Sequence, residues 1–146
     1  MPSATDLFSE TEIQQLVDAI TRAEATTSGE IRVHVENWCW LGPQWRAKRV
    51  FRKLNMHETR ENTGVLIYVA VRSHKVAVIG DKAINEAVPA GFWDDILNQI
   101  KSAFQQKRFA EGLMNAVENC GKQLAEHFPG SDDDNPDELP NEISFG

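Results

Sequence analysis

Apolar residues recur along this chain with two distinct periods. Residues 30–36, Glu-Ile-Arg-Val-His-Val-Glu, alternate strictly, with Ile31, Val33 and Val35 as the apolar positions. That is the pattern of a strand whose other face is wet or covered by polar groups. Before it, Ile13, Leu16, Val17, Ile20 and Ala23 fall on one helical face. Ser9-Glu10-Thr11-Glu12 supplies a capping box at that helix's start, and Thr26-Thr27-Ser28-Gly29 ends it. After the strand, Ala47, Val50, Phe51 and Leu54 predict a short amphipathic helix. Residues 64–71, Gly-Val-Leu-Ile-Tyr-Val-Ala-Val, form a nearly continuous apolar run of strand length, which suits a central strand buried on both faces. Only Arg72-Ser73-His74 separates it from the apolar stretch at 75–79, and so short a link forces an antiparallel hairpin. Three helical patterns follow. Ala83, Ile84, Ala87 and Val88 give a short piece ended by Pro89; Phe92, Ile96, Ile100 and Phe104 give a longer one, backed by Trp93 and Leu97; Leu113, Val117, Cys120, Leu124 and Phe128 give the last.

The order α, β, α, β, β, α, α predicts an α/β protein, a three-layer α/β/α sandwich on a small mixed sheet with an antiparallel hairpin. Three strands are visible, and a fourth has room in the tryptophan-rich stretch at 37–45. A chain of 146 residues is the size of one domain. The expected organisation is an N-terminal segment at 1–8, the domain at 9–128 and an acidic, disordered tail at 129–146, where aliphatic residues almost vanish.

Charge sharpens that division. The net charge of −7 arises largely in the tail, which holds six carboxylates and no Lys or Arg, leaving residues 1–128 with 15 basic and 16 acidic groups. A body this close to neutral lacks the clustered cations that nucleic acid or an anionic membrane requires, so neither is expected as a partner. Nothing in the chain as given reads as a leader or as a membrane-spanning run, which points to a cytoplasmic location. Cys39 and Cys120 are far apart and read as two free thiols.

Topology then gathers a set of carboxylates. If the strands at 31–36 and 65–71 are parallel neighbours, their starts share one edge, and the antiparallel strand at 75–79 ends there. Glu30, Asn62-Thr63-Gly64 and Gly80-Asp81 should converge, and Asp94 or Asp95 could reach in from the next helix. Carboxylates with amide, hydroxyl and backbone oxygens, without His or Cys, suit Ca²⁺ or Mg²⁺ rather than Zn²⁺. The candidate metal ligands are therefore Asp81, Glu30, Asp94, Asp95 and Thr63. An Asp after a strand is equally the N-cap of a helix starting at Lys82, and Asp94 and Asp95 equally suit a helix's first turn. A catalytic phosphate site would need cations, and Arg60 and Lys82 are the candidates nearby.

Trp38, Trp40 and Trp45 either edge the core or leave an apolar interaction surface. His34 near Cys39, and Ser28 before Gly29, lack the spacing of a nucleophile arrangement. No Gly-rich phosphate loop is present.

Four stretches in order resemble the TPM domain family, named for thylakoid-lumen phosphatase-like proteins: Ser28-Gly29-Glu30-Ile31-Arg32-Val33, residues 62–70, Ile79-Gly80-Asp81-Lys82-Ala83-Ile84, and Phe104 to Leu113 with Phe109 and Gly112. The resemblance covers roughly residues 8–128. It implies an α/β/α fold and divalent-cation binding, usually of calcium, at acidic loop residues on one edge; Asp81 is the position carried over most directly. It also implies, for some plant relatives, acid phosphatase activity and a link to photosystem II repair. Three function classes follow in order: a calcium-binding module, a metal-assisted phosphomonoesterase, and an interaction protein working through the Trp38–Trp45 surface.

Overall fold

A computed structural model of the chain describes residues 3–59, 61–130 and 141–146. The predicted elements are all present. Helix α1 spans Glu10–Glu24 and opens on the predicted capping box: the Ser9 hydroxyl accepts the Glu12 N–H at 3.1 Å and the Glu12 carboxylate accepts the Ser9 N–H at 3.0 Å. Strand β1 follows at Glu30–Glu36, α2 at Pro43–Lys53, β2 at Gly64–Ala70 and β3 at Lys75–Gly80. Helices α3 (Lys82–Ala87), α4 (Phe92–Gln105) and α5 (Phe109–His127) complete the body, and a short β4 at Ser144–Phe145 closes the described chain.

The sheet has the order β3-β2-β1-β4. β1 and β2 are parallel, in register from Glu30 opposite Gly64 to Glu36 opposite Ala70, and β3 returns antiparallel with Gly80 opposite Val65. β2 is buried along its whole length, as its unbroken apolar run requires. The side chains of Ile31, Val33, Val35, Val65, Ile67 and Val69 pack with the α1, α4 and α5 layer. Those of Leu66, Tyr68, Ala70 and Ala77 pack on the other face with Ala47, Val50 and Phe51 of α2 and with Met56. The fold is the three-layer α/β/α sandwich on a mixed sheet.

The structure differs from the sequence reading at the fourth strand. It comes from Ser144–Phe145, parallel to β1, and not from residues 37–45. Ile143 joins the core beside it, and the Gly146 N–H donates to the Val35 carbonyl at 3.0 Å. The end of the segment expected to be a disordered tail is thus packed on the sheet, and residues 131–140, with five of its six carboxylates, lie outside the described residues. A lone Ile-Ser-Phe in an acidic, Pro-containing segment is too short for periodicity to find; the free edge of β1 gives it a place. Cys39 and Cys120 are free and buried, as expected; burial pushes the Cys120 thiol up to about 12.

Candidate functional site

The parallel pairing brings the strand starts together, as the carboxylate argument requires. The Glu30 N–H donates to the Thr63 carbonyl at 3.4 Å, Asp81 N–H to the Gly64 carbonyl at 2.8 Å, and Ala83 N–H to the Asn62 carbonyl at 3.1 Å. Asp81 is the N-cap of α3, its Oδ1 accepting the Lys82 N–H at 2.7 Å. Its Oδ2 is buried and has no hydrogen-bond partner. Glu30 and Thr63 are buried at the same edge, where Glu30 stands opposite Gly64. Glu24 is buried as well and accepts the Ile31 N–H at 2.7 Å, while exposed Glu61 accepts from the Ser28 hydroxyl at 2.5 Å. Sequence reasoning passed over both of these carboxylates, since one lies on a helix face and the other in a turn.

Asp94 and Asp95 do not extend this cluster. Both are exposed on the first turn of α4, and among the described residues no three His, Cys, Asp or Glu side chains are placed to hold a metal ion. The side of α4 that meets the edge is Trp93, whose ring covers Gly80 and whose Nε1–H donates to Asn85 Oδ1 at 2.9 Å. Gly29 serves packing: a Cβ there would stand 2.7 Å from Leu124 of α5. Of the two cations considered for a phosphate clamp, Lys82 is exposed and Arg60 lies outside the described residues.

The opposite end of the sheet holds a network that the sequence did not announce. The Glu36 carboxylate accepts from Arg46 Nε at 2.8 Å and Nη2 at 2.9 Å, from His34 Nε2 at 3.0 Å, and from the Tyr68 hydroxyl. His34 Nδ1 meets the Ser144 hydroxyl at 2.8 Å. An ionised carboxylate can only accept, so His34 carries its proton on Nε2 and Nδ1 accepts from Ser144. Burial opposes ionisation of Glu36, yet the bonds from Arg46, Tyr68 and His34 outweigh it and bring the carboxyl down to about 2. Burial lowers the His34 pKa, while burial and then the Glu36 bond raise that of Tyr68. This is how the polar side of β1 is covered: Arg46 reaches over from α2, and Ser144 comes from β4. The signal available in sequence was Glu36 and His34 on one strand face, with Tyr68 as a polar atom inside an apolar run.

Beyond the network the chain turns into the tryptophan segment. Trp38 and Trp40 are stacked with ring centroids 5.2 Å apart, and the Arg49 guanidinium lies 5.0 Å from the Trp45 ring centre. Lys75 ties the segment down, donating to the carbonyls of Cys39 at 3.1 Å and Leu41 at 3.2 Å. All three tryptophans are exposed, so they are surface and not core.

A mixed four-stranded sheet between helical layers, acidic at its strand starts and aromatic at its strand ends, defines a small α/β/α sandwich domain. The model of the TPM domain family matches residues 3–123, and the chain belongs to that family. The BA42 protein of the psychrophilic bacterium Bizionia argentinensis, solved by NMR, is 43% identical, with all of both chains covered and a TM-score of 0.91. The N-terminal domain of a protein from P. gingivalis, also solved by NMR, shares the fold at 18% identity and a TM-score of 0.71, over 86% of this chain and 83% of that one. The N-terminal domain of the cg2496 protein of Corynebacterium glutamicum does so at 14% identity and a TM-score of 0.62, over 80% and 74%. No curated protein matches the chain.

Proposed function

We propose that this domain is a divalent-cation binding module, taking calcium and more weakly magnesium at the edge where β1 and β2 begin and β3 ends. The observation that carries the reading is Asp81 Oδ2, a buried carboxylate oxygen without a hydrogen-bond partner where three backbone segments converge. An oxygen withdrawn from water in that way gains from a hard cation what it lacks from a donor. Glu30, the Thr63 hydroxyl and loop carbonyls supply further hard oxygens, with water completing the shell. Few side-chain carboxylates point to weak binding, with a dissociation constant of about 10⁻⁴ to 10⁻³ M.

The experiment is a calcium and magnesium titration of the wild type and Asp81→Asn, followed by amide chemical shifts. Asparagine keeps the capping oxygen and removes the charge, so the fold is retained. Saturable shifts near residues 30, 63 and 81 that vanish in the variant support the site. Shifts confined to residues 131–142, or unchanged in the variant, reject it.

A further inference from the structure

Every exposed large apolar side chain among the described residues lies at one end of the molecule. They are Trp38, Trp40, Leu41, Trp45 and Phe145, with Trp40 the extreme at 80% exposed. Trp38, Trp40 and Leu41 follow β1 directly, Trp45 stands in the first turn of α2, and Phe145 lies on β4 opposite Val35, near the same end of β1. A cluster of this kind on a domain this small marks a surface that meets something.

Helix α2 decides what it meets. Its 11 residues carry Arg46, Lys48, Arg49, Arg52 and Lys53 and no Asp or Glu. Ala47, Val50 and Phe51 turn inward. Trp45, Lys48, Arg49 and Arg52 stand at i, i+3, i+4 and i+7, one stripe on the outer side. Arg46 is taken by Glu36, whereas Lys48, Arg49, Arg52 and Lys53 are exposed and form no ion pair among the described residues. The near-zero sum over the body conceals this segregation of charge. At physiological salt, charges act over about 8 Å, so the local stripe governs and the net charge does not. The described residues Gly130 and Asn141 lie on the other side of the sheet, against α1 and the turn after it: the Gly130 N–H donates to the Thr26 carbonyl at 3.2 Å, and Asn141 Nδ2 donates to the Thr21 hydroxyl at 3.1 Å.

We propose that α2 and the tryptophan segment form a docking surface for an anionic phospholipid bilayer, with α2 lying along the headgroups and the Trp38–Leu41 segment entering the interface. Charge complementarity and the form of the surface select this partner. Tryptophan beside cations on a convex helix face is the composition of interfacial helices. Single-stranded nucleic acid calls for a basic groove with separated ring faces. Here Trp38 and Trp40 cover one another, Trp45 is covered by Arg49, and Leu41 offers no ring at all. The docking is peripheral: no described helix is long and apolar enough to cross a membrane.

The test uses the full chain with vesicles of phosphatidylcholine alone and with about 30% phosphatidylserine, at about 0.05 M and 0.5 M salt, read by co-sedimentation and tryptophan emission. Expected is partition onto the anionic vesicles alone, with a blue-shifted emission, reversed by the higher salt. Each cation at such a surface contributes about fivefold, so Lys48→Glu with Arg52→Glu should weaken partition by at least about 20-fold. Trp40→Ser should reduce both the partition and the blue shift. These positions are exposed, and an unchanged circular dichroism spectrum confirms that each variant is folded. Equal partition onto both vesicle types, or equal partition of the charge-reversed variant and the wild type, overturns the proposal. So does tryptophan quenching by oligo-dT without any vesicle binding, which would reassign the surface to single-stranded nucleic acid.

Discussion

Replacing Glu36 by glutamine changes one atom and disturbs four hydrogen bonds. The wild-type carboxylate is an acceptor for Arg46 twice, His34 and Tyr68. A glutamine amide has one oxygen and one NH₂, so at least one donor must face another donor unless His34 changes tautomer. Bringing the carboxyl from 4.5 to about 2 corresponds to about 3 kcal/mol of native-state stabilisation. Arg46 is one-third exposed and can be rehydrated once its partner is neutral, which trims the loss to about 2–3 kcal/mol. At this chain length that is a fall of roughly 6–10 °C in melting temperature. The pH dependence gives a second, independent reading. Because the folded pKa lies below the unfolded one, the stabilisation is complete above about pH 4.5 and is lost as pH falls toward 2. Thermal or urea unfolding of both proteins between pH 7 and pH 2 should therefore show the gap between wild type and Glu36→Gln closing in the acid range. A gap below about 0.5 kcal/mol at pH 7, or one that stays constant down to pH 2, would refute the reasoning.

Gly80→Ala places a Cβ 2.5 Å from the Trp93 ring and 2.7 Å from Asn85 Oδ1, so it should cost about 1–3 kcal/mol in a urea titration; an unchanged midpoint would mean that the edge is plastic. His34, lowered by burial, should remain neutral below the ordinary histidine value in ¹⁵N spectra. Since only the unfolded state takes up that proton, stability should begin to fall as pH drops through about 6.5; an imidazole that titrates at or above this value contradicts its buried placement. Deleting residues 142–146 removes buried Ile143 and the β4 bonds to β1, with an expected loss of about 2–3 kcal/mol and faster hydrogen exchange along β1. A truncated chain with wild-type stability would mean that β4 is not part of the cooperative unit.

Much of this architecture is legible without coordinates, for reasons that are local. The capping box, the strict alternation of 30–36, the unbroken run of 64–71 and the three-residue link before Lys75 each leave one physically sensible conformation, and together they fix the pairing of β1, β2 and β3. From that pairing alone the meeting of Glu30, Asn62–Gly64 and Gly80–Asp81 follows. What does not follow is side-chain direction across elements. Asp94 and Asp95 share a first turn with Trp93, and it is Trp93 that faces Gly80, because a large ring fills the space a glycine leaves. The Glu36 network is hidden for the same reason: only His34 and Glu36 share a strand face, while Arg46, Tyr68 and Ser144 come from α2, β2 and β4, and no sequence spacing links these to the pair. β4 is hidden because two residues carry no period.

Net charge does not report how charge is arranged. Adding Lys and Arg over residues 1–128 returns a number near zero, and electrostatics is not felt as a sum but within a screening length. The parallel pair explains how the opposites stay apart. Seven residues in register on β1 and β2, at about 3.3 Å each, set the strand starts and strand ends roughly 20 Å from one another. Carboxylates collect where loops enter the strands, and tryptophans with the head of the basic helix collect where β1 leaves. At more than two screening lengths, an ion at one end changes the potential at the other very little. If both surfaces act as proposed, calcium at Asp81 should leave the salt dependence of vesicle partition unchanged. Coupling between them would require a change of shape in the sheet between the two ends.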